Sequence, residues 1–206
     1  MAIGTTRRRT PPRPPGRDPA PMSAPAADGP FVWNVAGLLG DTVGANRSYE
    51  VADARIPLPD ELTFATPIDG RVRLTHTNRG VLARASLRTA LAMECVRCLR
   101  PTTVPLELSI EDEFLPSLDL TTGKPVRTDE EPEALRLTDH HELDLEPSVR
   151  DAISLAEPIA PLDRPDCPGL CPTCGLPLDE GTHDHPDDEI DPRLEALRSF
   201  KPDTRA

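Results

Sequence analysis

The sequence predicts an α+β domain, mainly antiparallel β with a few short helices, closed by a zinc-ribbon-like cysteine site and preceded by a disordered tail. Two runs of alternating apolar residues flank a Cys-x-x-Cys turn (Cys95-Val96-Arg97-Cys98), and a second such turn lies far downstream (Cys171-Pro172-Thr173-Cys174). The aromatic content of 3% and the 26 prolines argue against a large close-packed core over the whole length.

Arg84 to Phe114 is the organising stretch. Val81, Ala83, Ala85, Leu87, Leu91 and Met93 alternate on the way into the turn, with Thr89 among them. Val104, Leu106, Leu108 and Ile110 alternate on the way out. A period of two gives a strand with one buried face, and two such runs with a short connection give a hairpin.

In chain order, residues 1–30 are rich in Pro, Arg and Ala without periodicity, and are expected to be disordered. Met22 is an alternative start within that tail. Structure is expected from Phe31-Val32-Trp33, with Trp33 as a core anchor. Leu38-Leu39-Gly40 and Gly44 mark a turn. Tyr49 to Pro57 is a weak strand, and Asp60 to Pro67 is irregular or a further strand. Arg71 to Thr77 turns Val72, Leu74 and His76 inward, with His76 a satisfied, half-buried residue. Asn78-Arg79-Gly80 is a hairpin turn in which Asn or Gly takes a positive φ. The acidic stretch 115–141 reads as a mobile loop, with His140 and His141 at the surface. Leu143 to Leu145 is a short strand. Pro147 opens a helix whose inner face is Val149, Ala152, Ile153 and Ala156. Asp191-Pro192 caps a short last helix with Leu194, Leu197 and Phe200 inward. The domain is thus placed at 31–200, with a tail at 201–206.

The net charge of −12 is the wrong sign for a chain that binds nucleic acid through its overall charge. The charge is uneven, however. Arg71 to Arg100 holds seven arginines against one acid, Glu94, whereas acids dominate from Glu107 to Glu146. This asymmetry points to an oriented partner surface carried by Arg71, Arg73, Arg84, Arg88, Arg97 and Arg100. The competing reading is a solvated strand face. No stretch is long and apolar enough to span a bilayer, and no apolar segment follows the N-terminal arginines as in a secretory signal. A cytoplasmic, reducing location is expected, where clustered cysteines bind metal more often than they form disulfides.

Zinc takes four thiolate or imidazole ligands, and each Cys-x-x-Cys turn supplies two. The expected set is Cys95, Cys98, Cys171 and Cys174. A local C-terminal set drawn from Cys167, Cys171, Cys174, His183 and His185 is the alternative. Such a site can contribute roughly 10–16 kcal/mol of apparent binding energy to folding. A thiol redox pair is disfavoured, because reactive pairs gain a low pKa at a helix N-terminus and Cys95–Cys98 lies between strands. No phosphate loop, His-Glu-x-x-His run or nucleophile elbow is present, so no catalytic residue is assigned and no small-molecule substrate is expected.

Glu94-Cys95-Val96-Arg97-Cys98-Leu99 resembles the E-C-x-R-C-L signature of the YceD family of large ribosomal RNA subunit accumulation proteins. Asp144-Leu145 with Val149-Arg150-Asp151, Cys167-Pro168-Gly169-Leu170-Cys171-Pro172-Thr173-Cys174-Gly175 and Asp191-Pro192-Arg193 are similar to its later motifs. The resemblance covers roughly residues 31–200. Many members carry a further cysteine near where Asp163 stands, and some carry Cys-x-Cys where this chain has His183-Asp184-His185. Exchanges between cysteine and histidine suit zinc ligation and leave the ligand set open. The resemblance implies a non-enzymatic factor for accumulation of 23S rRNA and large-subunit assembly, touching ribosomal RNA or an assembly protein. A zinc-stabilised adaptor unrelated to ribosomes is the alternative.

Overall fold

A computed structural model describes residues 29–59, 62–119, 122–126, 131–185 and 193–194. The N-terminal tail up to residue 28 and all of the expected last helix except Arg193-Leu194 lie outside the described residues.

Four long strands make one antiparallel sheet in chain order: β2 (Asn46–Ala54), β3 (Thr63–His76), β4 (Val81–Glu94) and β5 (Pro101–Phe114). The alternation read in the sequence is realised. Val81, Ala83, Ala85, Leu87 and Leu91 of β4, with Leu106, Leu108 and Ile110 of β5, are buried. Thr89 is buried too, its hydroxyl donating to the Thr66 carbonyl at 2.8 Å. Residues 60–67 prove to be partly the start of β3, which is one strand broken by two bulges, between Phe64 and Thr66 and between Thr66 and Asp69. Pro67, which cannot donate to a ladder, sits within the second bulge.

The β3–β4 turn differs from expectation in its chemistry. Neither Asn78 nor Gly80 takes a positive φ. Instead the Thr77 hydroxyl accepts from the Arg79 and Gly80 N–H groups. Glycine is needed at 80 because a Cβ there would stand 2.1 Å from the Phe114 carbonyl oxygen.

A two-stranded ribbon covers the buried face: β1 (Val32–Asn34) pairs with β6 (Glu142–Asp144), Trp33 opposite Leu143. Trp33 is 2% exposed and packs on Phe31 edge-to-face and on Tyr49 at 5.5 Å, as a core anchor should. The expected turn at 38–40 is a single helical turn, α1 (Ala36–Leu39), which buries Leu38 and Leu39 together and contacts β3. The second helix, α2 (Glu146–Ala156), has Pro147 in its first turn and lays Val149 and Ile153 on β5. Its inner face is narrower than expected, since Ala156 is exposed. Burying one such aliphatic side chain stabilises by about 1.5–3 kcal/mol, so these two residues carry most of the docking of α2.

The acidic stretch after β5 is tied at its ends. The Leu115 N–H donates to Leu135, Leu137 donates back to Leu115, and the Leu137 side chain is buried. His76 is half-buried, with Nδ1 3.0 Å from the Asp41 carbonyl oxygen. Among the described residues no helix is long and apolar enough to cross a membrane.

Candidate functional site

The two cysteine turns are copies of one local structure. In the first, at the tip of the β4–β5 hairpin, the Cys95 N–H donates to the Arg100 carbonyl and the Leu99 N–H to the Cys95 carbonyl, both at 2.9 Å. In the second, Cys171 donates to Leu176 and Gly175 to Cys171, both at 2.8 Å. The residue after the second cysteine is left-handed in each: Gly175 at φ +72° and Leu99 at φ +60°. Leucine there carries a steric penalty that glycine escapes. That explains why the first turn is harder to recognise in the sequence.

The structure does not bring Cys95, Cys98, Cys171 and Cys174 to one centre. It makes two groups, each with its ligand atoms within 4.8 Å of one another. Cys95 and Cys98 meet Asp163 and Cys167, whereas Cys171 and Cys174 meet His183 and His185. The correction has a local cause. After α2 the chain runs through Pro158 and Pro161 back across the hairpin tip, where the Val96 N–H donates to the Pro161 carbonyl at 3.0 Å. The Arg97 guanidinium donates to the Cys167 carbonyl at 2.9 Å. These contacts deliver Asp163 and Cys167 to the first turn. The second turn, closed on itself by the Leu170–Pro177 bridge, is left to recruit its ligands from downstream. Of the alternative C-terminal set, Cys171, Cys174, His183 and His185 stand together, whereas Cys167 stands with the first turn. Asp163 was not among the candidate ligands; its place beside the expected extra family cysteine was the available signal.

Within the first group, Cys95, Cys98 and Cys167 are buried. The Cys95 Sγ lies 3.8 Å from Cys167 Sγ and 3.4 Å from Asp163 Oδ1. Burial opposes ionisation of Cys95, but backbone N–H groups of Asp163, Cys98 and Arg97 aimed at its sulfur bring it down to about 7. Cys167 is pushed up to about 12, because its thiol donates to the Asp163 carboxylate and because it is buried. In the second group, the N–H groups of Cys174 and Thr173 bring Cys171 down to about 6. The Cys174 Sγ is 3.5 Å from His183 Nδ1, and His183 Nε2 is 3.0 Å from the Pro177 carbonyl oxygen. Such paired donors, with N–H groups supporting the sulfurs, can hold a divalent metal ion.

Ion pairs fasten this segment to the hairpin. Asp179 accepts from Arg100 at 2.8 and 2.7 Å and from Arg164 at 2.7 Å, and Arg100 also reaches Glu180. Arg100 first, then Arg164, holds the Asp179 carboxyl well below the usual carboxylate range. A carboxyl depressed in the folded state stabilises above its unfolded pKa of about 3.9 and loses that contribution as pH falls towards the folded value. The clamp is therefore expected to be complete at neutral pH and to weaken below about pH 4. Asp179→Asn should speed amide exchange of residues 169–178 by roughly tenfold at pH 7, on the scale of lost hydrogen bonds to charged groups. The same variant should show little further change between pH 4 and 3, where the parent protein continues to loosen.

The six arginines assigned to a partner surface divide. Arg97 and Arg100 are engaged at the hairpin tip as described. Arg71, Arg73, Arg84 and Arg88 line a trough of about 950 Å³ on the solvent face of the sheet, together with Glu50, Asp69 and Glu107. The register dictates their partners. Glu50 lies opposite Arg71, Glu111 opposite Arg84 and Glu107 opposite Arg88, with ion pairs at 2.7, 2.9 and 3.5 Å. The trough is a mixed field of alternating sign, in which arginines of the sequence-assigned partner surface stand beside carboxylates.

An antiparallel sheet whose hairpin tip and C-terminal segment carry two thiol-rich groups defines a small, cysteine-knuckled β protein. The family model described as large ribosomal RNA subunit accumulation protein YceD matches residues 83–201, and the chain belongs to this family. That span holds the central hairpin, α2 and both cysteine groups. Uncharacterized proteins of Mycobacterium tuberculosis and Mycobacterium bovis are each 37% identical over 131 residues, covering 63% of this chain and 60% of the relative. One of Mycobacterium leprae is 32% identical over 133 residues, covering 64% and 58%. The match thus spans about 60% of the length of these relatives. No solved structure matches the chain.

Proposed function

We propose that this chain is a non-enzymatic cytoplasmic factor that supports accumulation of 23S rRNA and assembly of the large ribosomal subunit by direct contact. The observation that carries the reading is the family match over residues 83–201, which gives the role its ribosomal setting. The trough of Arg71, Arg73, Arg84 and Arg88 is its contact surface. Zinc held by the thiol groups has a structural role, keeping the C-terminal segment against the hairpin tip.

The charge of the trough favours a large-subunit assembly protein over bare RNA. Arg71, Arg84 and Arg88 already face carboxylates, so phosphates entering the trough would meet acids as well as arginines. A protein surface can match alternating signs pair by pair.

In gradient sedimentation the chain is expected to travel with large-subunit precursors, and its depletion to lower 23S relative to 16S rRNA. An Arg84→Glu, Arg88→Glu double variant should lose most of that co-sedimentation, roughly tenfold or more, because like charges across an interface repel strongly. The reversed charges would face Glu111 and Glu107 across the strands, so a modest fall in thermal midpoint is expected while the circular dichroism spectrum stays the parent's. Unchanged co-sedimentation would remove the trough as the contact surface. A chain that stays at the top of the gradient would favour an adaptor unrelated to ribosomes. Retention on protein-free rRNA, lost in the double variant, would make RNA the partner.

A further inference from the structure

We propose that the chain binds two zinc ions, one held by Cys95, Cys98, Asp163 and Cys167 and one by Cys171, Cys174, His183 and His185. The first argument is metric. Zinc–sulfur bonds of about 2.3 Å in a tetrahedron put two sulfurs about 3.8 Å apart, and a sulfur about 3.5 Å from an imidazole nitrogen or carboxylate oxygen. The structure has 3.8 Å between Cys95 Sγ and Cys167 Sγ, 3.4 Å between Cys95 Sγ and Asp163 Oδ1, and 3.5 Å between Cys174 Sγ and His183 Nδ1. Three edges, drawn from both groups, have the lengths that ligands of one small ion require.

The second argument concerns the histidines. His183 Nε2 lies 3.0 Å from the Pro177 carbonyl oxygen, an acceptor only, so the proton sits on Nε2 and the Nδ1 lone pair points at the thiol group. A carbonyl holding the remote nitrogen in this way is the usual support of a zinc-bound imidazole. His185 Nε2 is buried without a hydrogen-bond partner. A buried imidazole nitrogen left alone is costly, and an ion among Cys171, Cys174 and His183 would satisfy it.

The third argument is the repetition of one turn geometry at residues 95–100 and 171–176. In each copy the first cysteine's carbonyl accepts from the residue after the second cysteine, and its N–H closes the loop on the carbonyl of the next residue along. Each turn thus presents two sulfurs and is completed by a different pair of ligands. The buried ion joins the hairpin tip to residues 163–167, and the other shapes residues 171–185 alone. The ion count does not depend on the ribosomal reading.

The test is metal content of the full chain purified without chelator, by elemental analysis and native mass spectrometry. Two zinc ions per chain are expected. Cys167→Ala should retain one, and the double variant His183→Ala, His185→Ala should also retain one. Asp163→Cys, which replaces one zinc ligand by another, should keep both. After cobalt(II) replaces zinc, the ion surviving in the double histidine variant should show the stronger thiolate charge-transfer band per cobalt, having three sulfurs against two. One ion per parent chain, none, or loss of all metal in the soluble histidine variant would overturn the proposal.

Discussion

Gly70→Ala is expected to cost this domain roughly 3 kcal/mol or more, among the largest effects of any single methyl group here. A Cβ at Gly70 would stand 2.2 Å from the Ser86 carbonyl oxygen and 2.8 Å from the Leu87 Cα. Both are backbone atoms of β4, which is held on its other side by an unbroken ladder to β5, so they have nowhere to retreat. The position also has φ +154°, at the edge of the region that side chains avoid. Gly70 lies where β3 has just passed its bulges and where the β2 register slips between Val51 and Ala54. Gly70 itself lines the arginine trough. Denaturant unfolding followed by circular dichroism would read the loss as a lowered midpoint. Gly44→Ala is the control: it shares a positive φ, but its Cβ would meet nothing within 4 Å, so only the conformational penalty of about 1 kcal/mol applies. Equal effects of the two substitutions would show that the clash with β4 is relieved by local adjustment.

The same hairpin shows what could be read without coordinates. Alternation from Val81 to Ile110 was enough to identify β4 and β5, because a half-buried strand must place every second side chain on the core. The positions that pair across it add to 195 throughout, from Val81 with Phe114 to Glu94 with Pro101. That register places Glu111 against Arg84 and Glu107 against Arg88. The basic stretch and the acidic stretch that follows it were thus legible as partners once the hairpin was recognised. Treating them as separate charge blocks is what hid the cross-strand pairing of the arginines with these acids. Residues 60–67 were less legible, since Pro67 and the bulges interrupt the alternation at the point where β3 begins.

The cysteines illustrate a different limit. Spacing identifies a Cys-x-x-Cys turn because the turn is local, held by hydrogen bonds within six residues. Which turns share an ion is decided by the path of the chain between them, and nothing in the spacing records that Pro161 docks on Val96. Asp163 was overlooked because a carboxylate among many acids has no local signature. Apart from its place near the family's further cysteine, it becomes a ligand candidate by standing 3.4 Å from Cys95 Sγ.

On the proposed two-zinc reading, chelation is expected to release residues 157–185 and the hairpin tip while leaving the sheet folded. The main core ends, in chain order, at Ile153. Beyond it, the apolar cluster at the tip consists of Cys95, Cys98 and Cys167, with Leu162 and Leu170 packed against it. Two half-buried leucines cannot offset the chain entropy of ordering nearly thirty residues, at about 1 kcal/mol or more for each backbone position. The proposed ions would supply, through the thiolates, what this packing does not. The Asp179 clamp and the hydrogen bonds from Val96 to Pro161 and from Arg97 to Cys167 tie the segment at a few points and leave the rest to the thiol groups. Amide exchange with and without chelator would locate the effect. Residues 95–100 and 161–178 should lose protection by about 100-fold or more, whereas the centres of β3, β4 and α2 should keep theirs. The separation is physical: Leu74, Leu87 and Ile153 are buried in a core that no thiol touches. Protection unchanged throughout would mean that the clamp and the two leucines suffice. Loss throughout would mean that the sheet itself depends on its tip, and that the hairpin ladder is far less autonomous than its fourteen consecutive pairs imply.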